Sequence, residues 1–131
     1  MMYVFYNPNP DRKLVDDCVI RAICKVTGKT WERVYDELFE LGRFYHDFPN
    51  RNYIWGEYLE DIGFERLSLP YACPNCFTVR EFCKMFPVGI YILSCDGHVI
   101  AVEDGNYYDT IDSGDYVPAY YWRLKGEQNA R

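Results

Sequence analysis

The chain has 131 residues, 49% hydrophobic and 26% charged, a globular composition with enough apolar material for one core without staples. Its formal net charge of −6 speaks against nucleic acid as a partner, because phosphate binding needs a basic face. No apolar run approaches the ~20 residues of a membrane span, and the start, MMYVFYNPNPDRK, lacks the basic n-region and long apolar h-region of a signal peptide.

With nothing that signals secretion, the six cysteines read as reduced thiols of a cytoplasmic protein rather than as bridges. The 13 tyrosines read as core and rim aromatics. YNPNPDRK is a turn-rich lead-in, its two Asn-Pro steps biasing the backbone away from helix. A first helix is predicted from about Asp17 to Thr27. Val19, Ala22, Ile23 and Val26 line its inner face, Arg21 and Lys25 are expected to point away, and Gly28 closes it. Asp16 and Asp17 read as an N-cap and dipole partner for this helix. Thr30 is the expected cap of a second helix, TWERVYDELFELG, with Val34, Leu38 and Leu41 inward and Gly42 as its end.

RFYHDFPNRN reads as a loop, IWGEYLEDIG as a third short helix, FERLSL as a strand and PYACPNC as another loop. Thr78 then caps TVREFCKMF, whose Val79, Phe82 and Phe86 fall at helical spacing. The period changes after Pro87. GIYILS, HVIAVE, NYYDTI and AYYWRL are short, β-branched or aromatic, with Asp-Gly turns among them. Helices followed by an antiparallel sheet predict a single α+β domain over residues 1–124, with residues 125–131 as a frayed tail.

Cys18 is the residue that most needs a reason. A buried cysteine is ordinary. A cysteine in the first turn of a helix faces backbone N–H groups and a dipole that favours the thiolate. A thiol nucleophile also needs a proton acceptor and a group that orients the acceptor. Only two histidines exist. His46 sits in a polar loop and reads as a surface residue, whereas His98 opens a strand beside a glycine turn. The next strand brings Asp109 and Asp112. A two-residue turn at Asp104-Gly105 places Asp109 and Ser113 diagonal to His98; a three-residue loop places Asp112 opposite it. Some Cys…His…Asp order arises by chance in a chain of this composition, so the positions carry the weight.

Those residues carry a resemblance. DDCVIRAICKVTGKTW, followed by TVREFCKMFPVGIYILSCDGHVIAVEDGNYYDTIDS, resembles the papain-like cysteine peptidase superfamily, nearest the short bacteriocin-processing-peptidase-like members of bacteria and their phages. The resemblance spans roughly residues 5–124 and is weak around 43–75. It implies a papain-like fold in which Cys18 is the nucleophile, His98 the general base and Asp112 the orienting group. Asp112 is preferred to Asp109 because Asp112-Ser113 stands where the family has its Asn-Ser or Asp-Pro step. The implied substrate is a peptide or protein cut at a peptide, isopeptide or amide bond, with no cofactor. The chain departs from the family at Arg12, where a glutamine commonly serves as oxyanion donor; Asn7, Asn9 or the Cys18 backbone N–H would have to replace it.

Two other readings come from different classes. The missing glutamine suits a catalytically silent papain-like binding module, such as a phage protein that occupies a host target. CPNC at Cys73–Cys76 is half of a zinc knuckle and suits a zinc-stabilised interaction domain. No second Cys or His pair completes it, and Cys83 falls on the apolar face of its helix, so no metal site is assigned.

Overall fold

Residues 2–69 and 77–126 are described in the computed structural model. In chain order their elements are β1 (Tyr3–Phe5), α1 (Cys18–Thr27), α2 (Trp31–Tyr45), α3 (Asn52–Asp61), β2 (Phe64–Ser68), α4 (Val79–Met85), β3 (Ile90–Cys95), β4 (His98–Glu103), β5 (Asn106–Asp109) and β6 (Pro118–Leu124). The six strands make one sheet in the order β1-β5-β4-β3-β6-β2. The class is therefore α+β, as expected. The sheet is mixed rather than antiparallel, because β1 lies parallel to β5 with Tyr3 beside Tyr107 and Phe5 beside Asp109. The CPNC segment falls outside the described residues.

β4 is buried along most of its length, and its alternating side chains serve two cores. Val99 and Ala101, with Ile92 and Trp122, meet Ala22 and Ile23 of α1, Val34 and Leu38 of α2, and Trp55 and Leu59 of α3. Ile100 and Val102 turn the other way and pack with Leu93, Tyr107 and Tyr121 against Val79, Phe82 and Cys83 of α4. An unbroken apolar run is what a strand covered on both faces requires. Three helices cover one face and α4 the other.

Local chemistry fixes the ends of these elements. Gly28 takes the left-handed conformation that closes α1. Thr30 accepts a hydrogen bond from the Arg33 N–H at the start of α2, and Thr78 with Glu81 forms a reciprocal capping box on α4. Between β4 and β5, Asp104 and Gly105 both have positive φ, 49° and 80°. That is a two-residue turn of the type that matches strand twist, with Glu103 paired to Asn106. β6 carries an irregularity where Ser94 pairs with Tyr120 but Cys95 with Pro118, so Ala119 is the extra residue. Bulges of this kind re-aim side chains next to sites.

Two expectations about the helices are corrected. Arg21 does not point away from the core; it is buried, 4% exposed, because Asp17 and Asp109 receive its guanidinium. Gly42 does not end α2, which continues to Tyr45 and closes on His46 in the left-handed conformation. The glycine serves close approach instead. A Cβ there would lie 2.7 Å from the Asp47 carbonyl oxygen and 3.3 Å from the Pro49 ring.

Gly42→Ala tests this directly. Alanine gains about 1 kcal/mol of helix propensity, but the clash is with backbone and a proline ring, which cannot swing aside. The clash is expected to win, with net destabilisation of roughly 1–3 kcal/mol in urea unfolding. A stabilised variant would show that the turn after α2 yields freely.

Candidate active site

The N-terminus of α1, the start of β4 and the end of β5 converge on one point. Cys18 is the first helical residue of α1 and is partly exposed. The amides of the first turn have no intrahelical acceptor, so Cys18 sits among free backbone donors. His98 begins β4, paired with Cys95 across the Asp96-Gly97 turn. Its Nε2 lies 2.7 Å from Asp109 Oδ2, and the Cys18 thiol is the other side chain that acts on the charge of the ring. A carboxylate only accepts. Nε2 therefore carries a proton toward Asp109, which leaves Nδ1 for the sulfur. Tyr116 lies edge-on to the imidazole with ring centroids 5.3 Å apart.

Asp109 is fully buried, and four donors fill its four lone-pair positions. Oδ2 accepts from His98 and from the Ser113 hydroxyl at 2.6 Å. Oδ1 accepts from the Thr110 N–H at 2.7 Å and from Arg21 Nη2 at 3.1 Å. Arg21 Nη1 reaches Asp17 Oδ1 at 2.7 Å, and Trp31 Nε1 donates to Asp17 Oδ2 at 2.9 Å. Asp17 thus faces inward as a buried acceptor and makes no side-chain cap bond to α1, contrary to expectation.

Asp112, the expected orienting residue, is not the partner of His98. The two-residue turn at Asp104-Gly105 fixes the register that puts Asp109 diagonal to His98. Asp112 instead holds the loop before β6. It accepts from Tyr107 Oη and the Gly114 N–H, and pairs with Arg80 at 3.2 Å. Ser113 reaches the site from the loop after β5, where its hydroxyl donates to Asp109. Asn7 and Asn9 do not reach it: Asn9 Oδ1 accepts from the Asp11 and Lys13 N–H groups, and Asn7 Nδ2 donates to the Lys13 carbonyl. They fold the lead-in loop, so the Cys18 amide remains from the three expected oxyanion donors.

The charge balance follows from these contacts. Burial pushes the His98 imidazole toward neutrality, but its hydrogen bonds to Asp109 and Cys18, and their charges, outweigh burial and raise its pKa to about 9. Burial likewise opposes ionisation of Asp109, yet hydrogen bonds from His98 and Ser113 hold it below the usual carboxylate range. Three other thiols are buried out of use, Cys24 and Cys95 pushed up to about 12 and Cys83 to about 11, chiefly by desolvation.

Cys18 and His98 open onto a cleft of about 1190 Å³. One set of walls is aromatic: Trp31, Tyr35, Phe39, Phe48 and Trp55. Trp31, Tyr35 and Phe39 stack along α2 with centroids 5.1 and 4.3 Å apart. Among the described residues, no group of three or more His, Cys, Asp or Glu side chains is arranged to hold a metal ion, and no helix is long and apolar enough to cross a membrane. Comparison of the chain with protein-family models, curated proteins and solved structures found no match.

Neutralising the two aspartates separates their parts. Asp109→Asn would turn an amide N–H₂ toward two existing donors, so it is expected to lower the His98 pKa well below about 9 and to destabilise the fold. Asp112→Asn should leave His98 unchanged. NMR titration of His98 in both variants is the measurement. In the wild type, the stability that His98 contributes is fully present below its ordinary pKa of 6.5 and is lost as pH rises through about 9. In Asp109→Asn that loss should move to lower pH.

Proposed function

We propose that the protein is a papain-like thiol hydrolase that cuts a peptide, isopeptide or amide bond, with Cys18 as nucleophile, His98 as general base and acid, and Asp109 as the orienting carboxylate. One observation carries the reading. A single imidazole stands between a first-turn thiol and a fully buried carboxylate, and the thiol and imidazole line a cleft large enough for a polypeptide segment. The order along the chain also supports it, with the thiol opening the first long helix, the imidazole opening a strand and the carboxylate on the next strand.

On this reading the steps are these. Nδ1 of His98 takes the Cys18 proton, and Asp109 stabilises the resulting imidazolium through Nε2. The thiolate attacks the carbonyl carbon of the substrate, and the oxygen that becomes negative is received by backbone N–H groups at the start of α1. As the tetrahedral intermediate collapses, the C–N bond breaks and the imidazolium gives its proton to the leaving amine. His98 then takes a proton from water as the oxygen attacks the thioester. Release of the acid restores the Cys18 thiol. With an amine in place of water, the same arrangement transfers the acyl group.

Iodoacetamide labelling at about pH 6, read by peptide mass mapping, should modify Cys18 ahead of Cys24, Cys83 and Cys95, whose thiols burial holds in the neutral form. His98→Ala should keep the fold and abolish the preference, since it removes the counter-ion from a strand end where truncation loses little packing. Even labelling of Cys18, Cys24, Cys83 and Cys95, or a protected Cys18, rejects the assignment.

A further inference from the structure

The triad just described leaves one buried charge without a part. Arg21 spans from its own backbone to two carboxylates, with its side chain 5% exposed. Nη1 meets Asp17 at 2.7 Å and Nη2 meets Asp109 at 3.1 Å. Both carboxylates are themselves buried, at 4% and 0%. Replacing a buried ion triad by apolar groups is often neutral or stabilising, so stability alone is a weak reason for such a cluster. Its location is more informative. Asp17 immediately precedes Cys18, and Asp109 is the residue that holds His98.

We infer that Arg21 is a positioning residue of this site: its guanidinium clamps Asp109 from the side away from His98 and ties it to the residue beside the nucleophile, so one buried cation sets both the aim and the effective charge of the carboxylate. The inference rests on the triad reading above. The planar guanidinium is suited to the task because its two terminal nitrogens diverge toward two acceptors at once, which an ammonium cannot match. The aim follows from lone-pair occupancy. With Oδ1 taken by Arg21 and the Thr110 N–H, only Oδ2 faces His98 and Ser113.

The effect on charge has a definite sign. The groups against the imidazole are Asp109 from β5, Cys18 from α1, Cys95 paired with it across the turn from β3, and Tyr116 from the loop before β6, while Asp16, Asp17 and Asp96 line the cleft that it opens onto. Arg21 is the positive member of this neighbourhood. It draws on the same carboxylate that stabilises the imidazolium, and so holds the His98 pKa below where Asp109 alone would put it. Removing the cation leaves a more negative surround and favours the imidazolium.

Three proteins test this: wild type, Arg21→Lys and Arg21→Met, each followed by NMR titration of His98 and by the pH profile of Cys18 alkylation with iodoacetamide. Arg21→Met is expected to raise the His98 pKa by roughly one unit and to carry the alkylation profile upward with it. Arg21→Lys keeps the charge but reaches one carboxylate at a time. It should fold, keep the His98 pKa near wild type, and alkylate several-fold more slowly. A folded Arg21→Met with an unchanged or lower His98 pKa overturns the inference. Should Arg21→Met fail to fold, Arg21→Lys decides, and wild-type alkylation at every pH in that variant overturns it as well. A wild-type Cys18 no more reactive than the buried thiols rejects the triad instead, and the His98 titration still reports whether Arg21 and Asp109 are coupled.

Discussion

A carboxylate with no access to water has to find its solvation in the protein, and for Asp109 the fold supplies it from four directions. The donors are a helix side chain, a strand-end imidazole, a loop hydroxyl and a backbone amide. They come from three segments, and none can be withdrawn without leaving the charge short. The convergence of α1, β4 and the loop after β5 is therefore a requirement of this one group, and the cleft forms where they meet. Burial by itself would neutralise the carboxylate; the four donors reverse the outcome and keep it ionised.

The same logic explains why the sheet is shared by two cores. The hairpin β4–β5 must hold His98 and Asp109 in fixed relation, and it does so from the interior of the sheet, with β1 and β3 on its flanks. Val99 and Ala101 seat it on α1, while Ile100, Val102 and Tyr107 seat it on α4. A side chain mounted on a strand packed from both sides has little freedom to wander, which suits groups that work at hydrogen-bond distance. The loop carrying Ser113 is fixed separately. The amides of Val79 and Arg80 donate to the Tyr116 and Gly114 carbonyls, and the Arg80 side chain grips Asp112 and Asp115.

Much of this was readable in the residue order. Cys18 at a helix start, His98 at a strand start and the aspartates after an Asp-Gly turn follow from caps, periods and turn chemistry. The choice between Asp109 and Asp112 depended on whether Asn106 belongs to the turn or to the strand. An Asp-Gly-Asn string allows both, and only the positive φ of Asp104 and Gly105, with Asn106 paired to Glu103, resolves it. The inward turn of Arg21 is not legible, because an arginine on a helix reads as solvent-facing when its acceptors are unseen. One of them is four residues back, and the other is far along the chain, where no local pattern reaches. β1 escaped for a related reason: three residues show no period, and their partner strand is at the other end of the sequence. Gly42 shows the opposite trap, a glycine kept for close approach inside a helix that looks like a helix stop.

The parallel pairing of Tyr3–Phe5 with Tyr107–Asp109 has a consequence in time as well as space. On the ribosome, the segment bearing Cys18 emerges early, while the imidazole and the carboxylate are the work of the last third of the chain. Closing that distance is slow and entropically costly compared with forming α1 or α2 alone. Until β4 and β5 have been synthesised and have packed on α1, Cys18 has neither the imidazole nor the carboxylate beside it. The three side chains come together only with a nearly complete fold.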